Sequence, residues 1–332
     1  MSKIAIIGAG SWGTALAHAL AGAGHDVRLW AYEQEVAAFI NKRRENDVFL
    51  PGILLPENII PTNDLAFALA NVECVLTVMP SHVCLSLYER MLPYLSPDML
   101  LVSATKGIDT KQHMRMSQII HGVVKKKSPP RIVVLSGPSF AREVAIGDPT
   151  ALVAASEDAN AAKWVQKEFS GKTLRLYTSD DVTGVEIGGA VKNVIAIASG
   201  IIKGLELGHN PMAALITRGL AEIARLASTL GARRETLAGL AGMGDLVLTC
   251  TGALSRNRSV GIELGKGRRL PEILASMREV AEGVKTTYAT VELAMELGVE
   301  MPITEQVRRI LNGEIPPREA IRELMDRSLK NE

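Results

Sequence analysis

The stretch "IAIIGAGSWGTAL", residues 4–16, decides the fold. Its apolar start, read with Lys3 as "KIAII" (3–7), is a buried strand. Gly8, Gly10 and Gly13 follow as G-x-G-x-x-G, and "GTALAHALAGA" (13–23) then runs as a helix with an alanine and leucine face. Strand, glycine turn and helix in that order are the context a dinucleotide-binding loop requires. Gly8 permits the tight turn, Gly10 lets the backbone approach a pyrophosphate, and Gly13 lets helix and strand pack closely. The helix N-terminus offers unpaired N–H groups and the positive end of the helix dipole to the phosphates.

The rest of the first half repeats the pattern. Apolar runs recur as "VRLWA" (27–31), "CVLTVM" (74–79), "MLLVSA" (99–104), "RIVVL" (131–135), "ALVAAS" (151–156) and "LRLY" (174–177). Several are continuously hydrophobic, as strands covered on both faces of a parallel sheet are. Helical patterns lie between them, at 33–44 and 83–92 among others. The alternation predicts an α/β, Rossmann-type doubly wound sheet over residues 1–180. The pattern changes at Ser179-Asp180-Asp181. Segments 185–207, 211–231, 286–298, 303–313 and 317–330 all read as helices, with Gly231, Gly298 and Gly313 as C-terminal stops. Residues 181–332 are therefore expected to form an all-α C-terminal domain.

Composition bounds the function. The 332 residues are 47% hydrophobic and 22% charged with a formal net charge of +1. That balance carries no bulk attraction to nucleic acid or to an anionic membrane. Aromatic residues are 4%, too few for a base-stacking surface. Cys74, Cys84 and Cys250 are scattered without a CxxC or a His/Cys cluster, so we expect buried thiols, no metal site and a cytoplasmic protein. No signal peptide is read, because Gly8 to Gly13 break the apolar residues 4–7. The longest apolar run of the second half, "VIAIASGII" (194–202), is far shorter than a membrane span. Lys125 to Lys127 read as a solvated loop.

In a doubly wound sheet the ligand lies beyond the carboxyl ends of the strands. At the end of the second strand a carboxylate would bond the ribose hydroxyls, and an arginine would favour a 2′-phosphate. This chain has Trp30-Ala31-Tyr32-Glu33, which leaves NAD and NADP both open. Beyond later strands come Thr105-Lys106-Gly107 and Ser136-Gly137-Pro138-Ser139-Phe140-Ala141. A lysine at such a tip is either solvated or polarises a substrate oxygen. The small Gly137 and Ser139 suit close approach of a polar ligand.

Two features stand out in the helical half. Lys192-Asn193 sits inside the apolar helix "GGAVKNVIAIASG". The lysine either snorkels to the surface or is buried, where desolvation and neighbouring cations would fit it for proton transfer. The second is "GLAGMGDLVLTCTGALSRNRSVG" (239–261), read as a Gly-rich loop holding Asp245, followed by Ser255-Arg256-Asn257-Arg258. Its hydroxyl, amide and guanidinium donors match a phosphate or carboxylate.

Taken together, "GAGSWGTALA", "TKG", "SGPSFAREV", "EIGGAVKNVIAIASG", "GLAGMGDLVLTC", "SRNRSVG" and "VAEG" (280–283) resemble the signature segments of bacterial NAD(P)-dependent glycerol-3-phosphate dehydrogenases, in the family's order. The resemblance implies interconversion of sn-glycerol 3-phosphate and dihydroxyacetone phosphate with NAD or NADP, supplying glycerol 3-phosphate for phospholipid synthesis. It implies Lys192 as proton acceptor at the C2 hydroxyl, and Lys106 in contact with both substrate and cofactor. Gly137, Ser139, Asp245, Ser255, Arg256 and Asn257 would line the substrate site with them. Ser11, Trp12, Tyr32, Phe49, Ala141, Arg256, Val280 and Glu282 would touch the dinucleotide beside Gly8, Gly10 and Gly13. Many relatives carry a basic residue where Tyr32 stands, which argues against a strong NADP preference. A homodimer is expected, as relatives with helical second domains often pair through them.

Two rival readings remain at this stage. One is another Rossmann-plus-helical dehydrogenase of the 3-hydroxyacid or 6-phosphogluconate type, against which Lys106 and Ser255-Arg256-Asn257 weigh. The other is a non-catalytic dinucleotide sensor, against which both lysines weigh.

Overall fold

The computed structural model describes residues 1–277 and 281–329. The first half runs β1 (Lys3–Ile7), α1 (Ser11–Gly22), β2 (Asp26–Trp30), α2 (Gln34–Arg43), β3 (Ile59–Thr62), α3 (Leu65–Leu69), β4 (Cys74–Thr77), α4 (Cys84–Met91), β5 (Leu100–Ser103), α5 (Met116–Val124), β6 (Arg131–Ser136), α6 (Ala141–Ile146), β7 (Thr150–Ala155), α7 (Ala159–Phe169) and β8 (Leu174–Ser179). All eight strands form one sheet in the order β3-β2-β1-β4-β5-β6-β7-β8.

Why the strands are apolar on both sides is visible in β1. Ile4 and Ile6 join a core with Leu16, Leu20, Val36 and Ile40 of α1 and α2. Ala5 and Ile7 point the other way, into a core with Leu65, Leu69, Leu87, Tyr88, Ile119 and Ile120 of α3, α4 and α5. Successive side chains of a strand face opposite sides, so a strand covered twice must be apolar throughout.

One strand departs from the sequence reading. β3 was not expected. It pairs parallel with β2 at the sheet edge, Val27 opposite Ile59 through Trp30 opposite Thr62. The β2 side takes Asn58 O and Thr62 O, so the even-numbered residues face the sheet and Pro61, which lacks an N–H, faces the open edge. The sheet is parallel except at β7, which runs antiparallel to β6 and parallel to β8. The connecting helix α6 has six residues and rises only about 9 Å, which does not return the chain to the opposite end of the sheet.

The second half is helical: α8 (Val182–Gly204), α9 (His209–Thr229), α10 (Arg234–Ala238), a π-helical turn at Leu240–Gly244, α11 (Asp245–Thr251), α12 (Arg256–Gly265), α13 (Leu270–Ala275), α14 (Glu282–Glu296), α15 (Pro302–Leu311) and α16 (Pro317–Met325). No strand follows β8 among the described residues. The chain divides into two compact units, Met1–Lys106 with Met114–Glu186, and Gly107–His113 with Ile187–Glu332. Gly231, Gly298 and Gly313 end their helices at φ 88°, 65° and 73°, left-handed values that a side chain would resist.

Helix α8 corrects a second expectation. Its 23 residues make it long and apolar enough to cross a membrane by length and composition, unlike the nine-residue run read from the sequence. Its whole apolar window is buried inside the protein, so it is a core helix. It owes that burial to small residues. A Cβ at Gly200 would lie 2.0 Å from Arg258 O, and one at Gly204 2.2 Å from Ile262 O. On the facing helix, a Cβ at Gly261 would lie 2.0 Å from Ile197 O, and one at Gly265 2.6 Å from Ile201 O. Each pair is spaced by four, one helix face, so α8 and α12 meet backbone to backbone. The basic run at 125–127 is an exposed turn, in which Lys127 Nζ bonds the carbonyls of Leu92, Pro93 and Leu95.

Candidate active site

The glycine loop joins β1 to α1. Gly8 has φ 121°, and a Cβ there would fall 2.1 Å from the Val78 carbonyl oxygen beyond β4. A Cβ at Gly13 would fall 1.8 Å from Gly8 O. Both glycines are therefore required by the protein's own packing. Gly10 is different: a Cβ there would meet nothing within 4 Å. Gly10 caps α1 with no side-chain hydrogen bond, and the first turn holds no acidic residue. Trp12 Nε1 is buried without a hydrogen-bond partner. An open glycine, an uncapped twelve-residue helix N-terminus and an orphaned donor fit a dinucleotide's phosphates.

At the tip of β2, Tyr32 is 73% exposed and meets Trp30 edge to face at 6.3 Å. Glu33 and Glu35 are exposed beside it at the start of α2. On the neighbouring strand tip, Asp64 accepts from Ala66 N and Phe67 N. Arg28, further down β2, is spent on the Phe67 and Ala70 carbonyls. The Arg90 guanidinium stands 6.0 Å from the centroid of the Trp30 ring at the same tip.

The adjacent strands β5 and β6 bring a second group together. Lys106 Nζ donates to Gly137 O at 3.1 Å, and Ser139 Oγ donates to the same carbonyl at 3.1 Å. Gly137 has φ 136°, and a Cβ there would press on Ala151 O and Leu152 at 3.2 Å. Ala141 opens α6 just beyond.

In the helical unit, Lys192 lies inside α8 and does not snorkel; its side chain is 7% exposed. Its ammonium is bonded to the Asp245 carboxylate, 1% exposed, and donates to Thr249 Oγ1 at 2.9 Å. The counter-charge at this ammonium is the Asp245 carboxylate. A buried ammonium without such a counter-charge would be costly. Thr249 Oγ1 in turn donates to Asp245 O at 2.6 Å, one helical turn back along α11. The stretch 239–261 is mostly helical, with a turn between α11 and α12. Asp245 begins α11, and Ser255 Oγ caps α12 by accepting from Arg258 N at 3.3 Å. The capping leaves Arg256 exposed and Asn257 buried. Asn257 Nδ2 donates to Asn193 Oδ1 at 2.9 Å, and its Oδ1 accepts from Gly283 N at 2.9 Å. The cysteines supply no nucleophile: all three are buried, and burial pushes the Cys250 thiol up to about 12.

Residues 3–162 match the model for the N-terminus of NAD-dependent glycerol-3-phosphate dehydrogenase, and residues 181–322 match the model for its C-terminus. The chain belongs to the NAD-dependent glycerol-3-phosphate dehydrogenase family. A glycerol-3-phosphate dehydrogenase (NAD(P)+) from Koribacter versatilis is 60% identical over 329 residues, covering 98% of both chains. One from a Geobacter species is 54% identical over 330 residues, covering 99% of this chain and 98% of the relative. The crystal structure of glycerol-3-phosphate dehydrogenase from Coxiella burnetii superposes with a TM-score of 0.94 at 41% identity, covering 98% of this chain and 99% of that one.

Against this family background, the structure groups the sequence-derived residues by unit. Gly8, Gly10, Ser11, Trp12, Gly13 and Phe49 lie around the glycine loop, with Tyr32 at the next strand tip. Lys106, Gly137, Ser139 and Ala141 follow β5 and β6. Lys192 and Asp245 pair, Ser255, Arg256 and Asn257 start α12, and Glu282 starts α14. Val280 lies outside the described residues. Two residues were missed. Thr249 could have been found from its helical spacing to Asp245. Asn46 carries no motif signal, yet its side chain reaches Ala9 and Thr14 in the glycine loop.

Proposed function

We propose that this enzyme reduces dihydroxyacetone phosphate to sn-glycerol 3-phosphate, and runs the reverse oxidation, with Lys192 moving the proton at the C2 oxygen. The observation that carries the lysine assignment is a buried ammonium held by Asp245 and Thr249 within the helical unit of a dehydrogenase family. NADH or NADPH, when bound, supplies the hydride. The glycine loop, with Ser11, Trp12, Phe49, Ala141 and Glu282, holds the dinucleotide in this reading. Lys192 donates its proton to the oxygen as C2 is reduced, and takes it back in the oxidation. Asp245 and Thr249 fix the direction of Nζ. Lys106, set against the Gly137 carbonyl, contacts substrate and cofactor, while Gly137, Ser139, Ser255, Arg256 and Asn257 receive the polar substrate, its phosphate included. The product would feed phospholipid synthesis in the cytoplasm, and the enzyme would act as a homodimer. Glu33 and Asp64 near the tips of β2 and β3 support a reading in which NADPH is not preferred over NADH.

Absorbance at the NADH band tests the reading, with dihydroxyacetone phosphate, a 3-hydroxyacid and 6-phosphogluconate offered in turn with each cofactor in its matching redox state. Turnover is expected with dihydroxyacetone phosphate, at kcat/KM for NADH at least equal to that for NADPH. Turnover of a hydroxyacid alone, or NADH binding without turnover of the triose phosphate, would overturn it.

A further inference from the structure

Asn46 lies in the connection between α2 and β3, 37 residues along the chain from Ala9 and 32 from Thr14, both of which it touches. It is 1% exposed. Its Nδ2 donates to Ala9 O and to Thr14 Oγ1, both at 2.8 Å, and Thr14 Oγ1 donates to the same Ala9 carbonyl at 3.3 Å. Its Oδ1 accepts from Phe49 N at 3.2 Å, and its own carbonyl accepts from Leu50 N at 2.8 Å. The N–H of Phe49 needs an oxygen and the Ala9 carbonyl needs a donor, so the amide has one orientation.

We propose that Asn46 is a positioning residue for the dinucleotide phosphates, acting by locking the Ala9–Gly10 peptide. In a trans peptide the C=O and the next N–H point in opposite directions. Pinning the Ala9 carbonyl toward Asn46 and Thr14 aims the Gly10 N–H the other way, out of the loop. Glycine at position 10 makes that lock necessary. Rotating the peptide changes φ at Gly10, and glycine accepts positive φ as readily as negative. The residue that admits a phosphate close to the backbone therefore also lets the peptide flip. Asn46 removes that freedom before the cofactor arrives, which lowers the ordering cost of binding. The same side chain tethers Phe49, so the aromatic side chain and the phosphate donor are set by one buried amide.

This inference rests on reading the glycine loop as a dinucleotide site, and the test separates the two. The Asn46→Asp variant keeps the acceptor for Phe49 and loses the donors to Ala9 and Thr14. NADH is titrated by its own fluorescence at pH 8 and at pH 6, with thermal unfolding recorded for each protein. At pH 8 the variant is expected to bind NADH about tenfold more weakly, one charge-opposed hydrogen bond's worth. At pH 6 binding recovers toward wild type, because burial favours a protonated acid whose O–H again donates to Ala9 O. The kinetic loss sits in KM for NADH rather than in kcat. Thr14→Val, which removes one of the two donors to Ala9, is expected to weaken NADH two- to threefold and covers the case in which the Asp variant does not fold. Wild-type affinity in a folded Asn46→Asp at pH 8, a loss that does not recover at pH 6, or a fall in melting temperature without a change in affinity would each overturn the proposal. So would unchanged affinity in Thr14→Val. Wild type that bound no NADH would overturn the dinucleotide reading and this one with it.

Discussion

Lys192 and Asp245 form an ion pair buried between α8 and α11, 53 residues apart in sequence, with Thr249 Oγ1 as a second partner of the ammonium. Both charges are shut off from solvent, so each depends on the other far more than a surface pair would.

This interdependence predicts different outcomes for the two partners. Lys192→Ala should retain NADH binding, because the glycine loop is untouched, and lose several orders of magnitude in kcat, because the proton at C2 then has no carrier. Asp245→Asn should cost about 3 kcal/mol or more of stability, since it leaves a buried ammonium without a counter-charge. A Lys192→Met, Asp245→Leu double variant should regain most of that stability and none of the activity. Urea denaturation and steady-state rates measure both. Near-normal turnover in Lys192→Ala would remove the lysine from the mechanism.

The close approach of α8 and α12 gives a second prediction. Gly261→Ala places a methyl 2.0 Å from Ile197 O and 2.9 Å from Gly200 Cα. Neither is the movable end of a side chain, so the helices must part. A loss of about 2 kcal/mol or more is expected. Activity should fall as well, because α12 carries Asn257 onto Asn193 and Gly283. Gly122→Ala is the contrast. It lies within α5, its Cβ meets nothing within 4 Å, and a gain of about 0.5–1 kcal/mol is expected. Equal effects of the two substitutions on the urea midpoint would refute the packing argument.

How much of this was legible in the sequence follows from what each feature depends on. β1 was legible because its two faces enter two separate cores, which forces apolar residues at Ile4, Ala5, Ile6 and Ile7 alike. That same uniformity hid the direction of β7, since a strand buried on both faces reads identically whichever way it runs. β3 was hidden by Pro61 and by its four-residue length, both tolerable at an edge. Lys192 stood out as a charge in an apolar helix, but its partner did not, because the glycines around Asp245 read as loop rather than as a π-helical turn leading into α11. The spacing of Gly200 with Gly204 and of Gly261 with Gly265 was present and went unread. Asn46 had no local signal at all: its importance lies in a backbone carbonyl far along the chain, and any sequence position can meet a carbonyl.

Glu222 supplies the last prediction. It is 2% exposed on α9 and caps the N-terminus of α15, accepting from Ile303 N at 2.6 Å, Thr304 N at 3.2 Å and Thr304 Oγ1 at 3.1 Å. Burial pushes its carboxyl up to about 7, against the pull of those three donors and of the Arg225 charge. In the unfolded chain the same group titrates near its ordinary 4.5. Between these values the folded state holds a proton that the unfolded state has released, so stability falls as pH rises. The contribution is fully present below about 4.5, and it is lost through about 7. The shift amounts to about 3 kcal/mol in total, most of it between pH 5 and pH 8. Glu222→Gln has nothing to titrate there. The stability of wild type minus that of Glu222→Gln, from urea denaturation, should therefore drop by about 2 kcal/mol from pH 5 to pH 8. Parallel curves would show that Glu222 is already ionised in the folded protein at pH 5, held by its three donors despite burial.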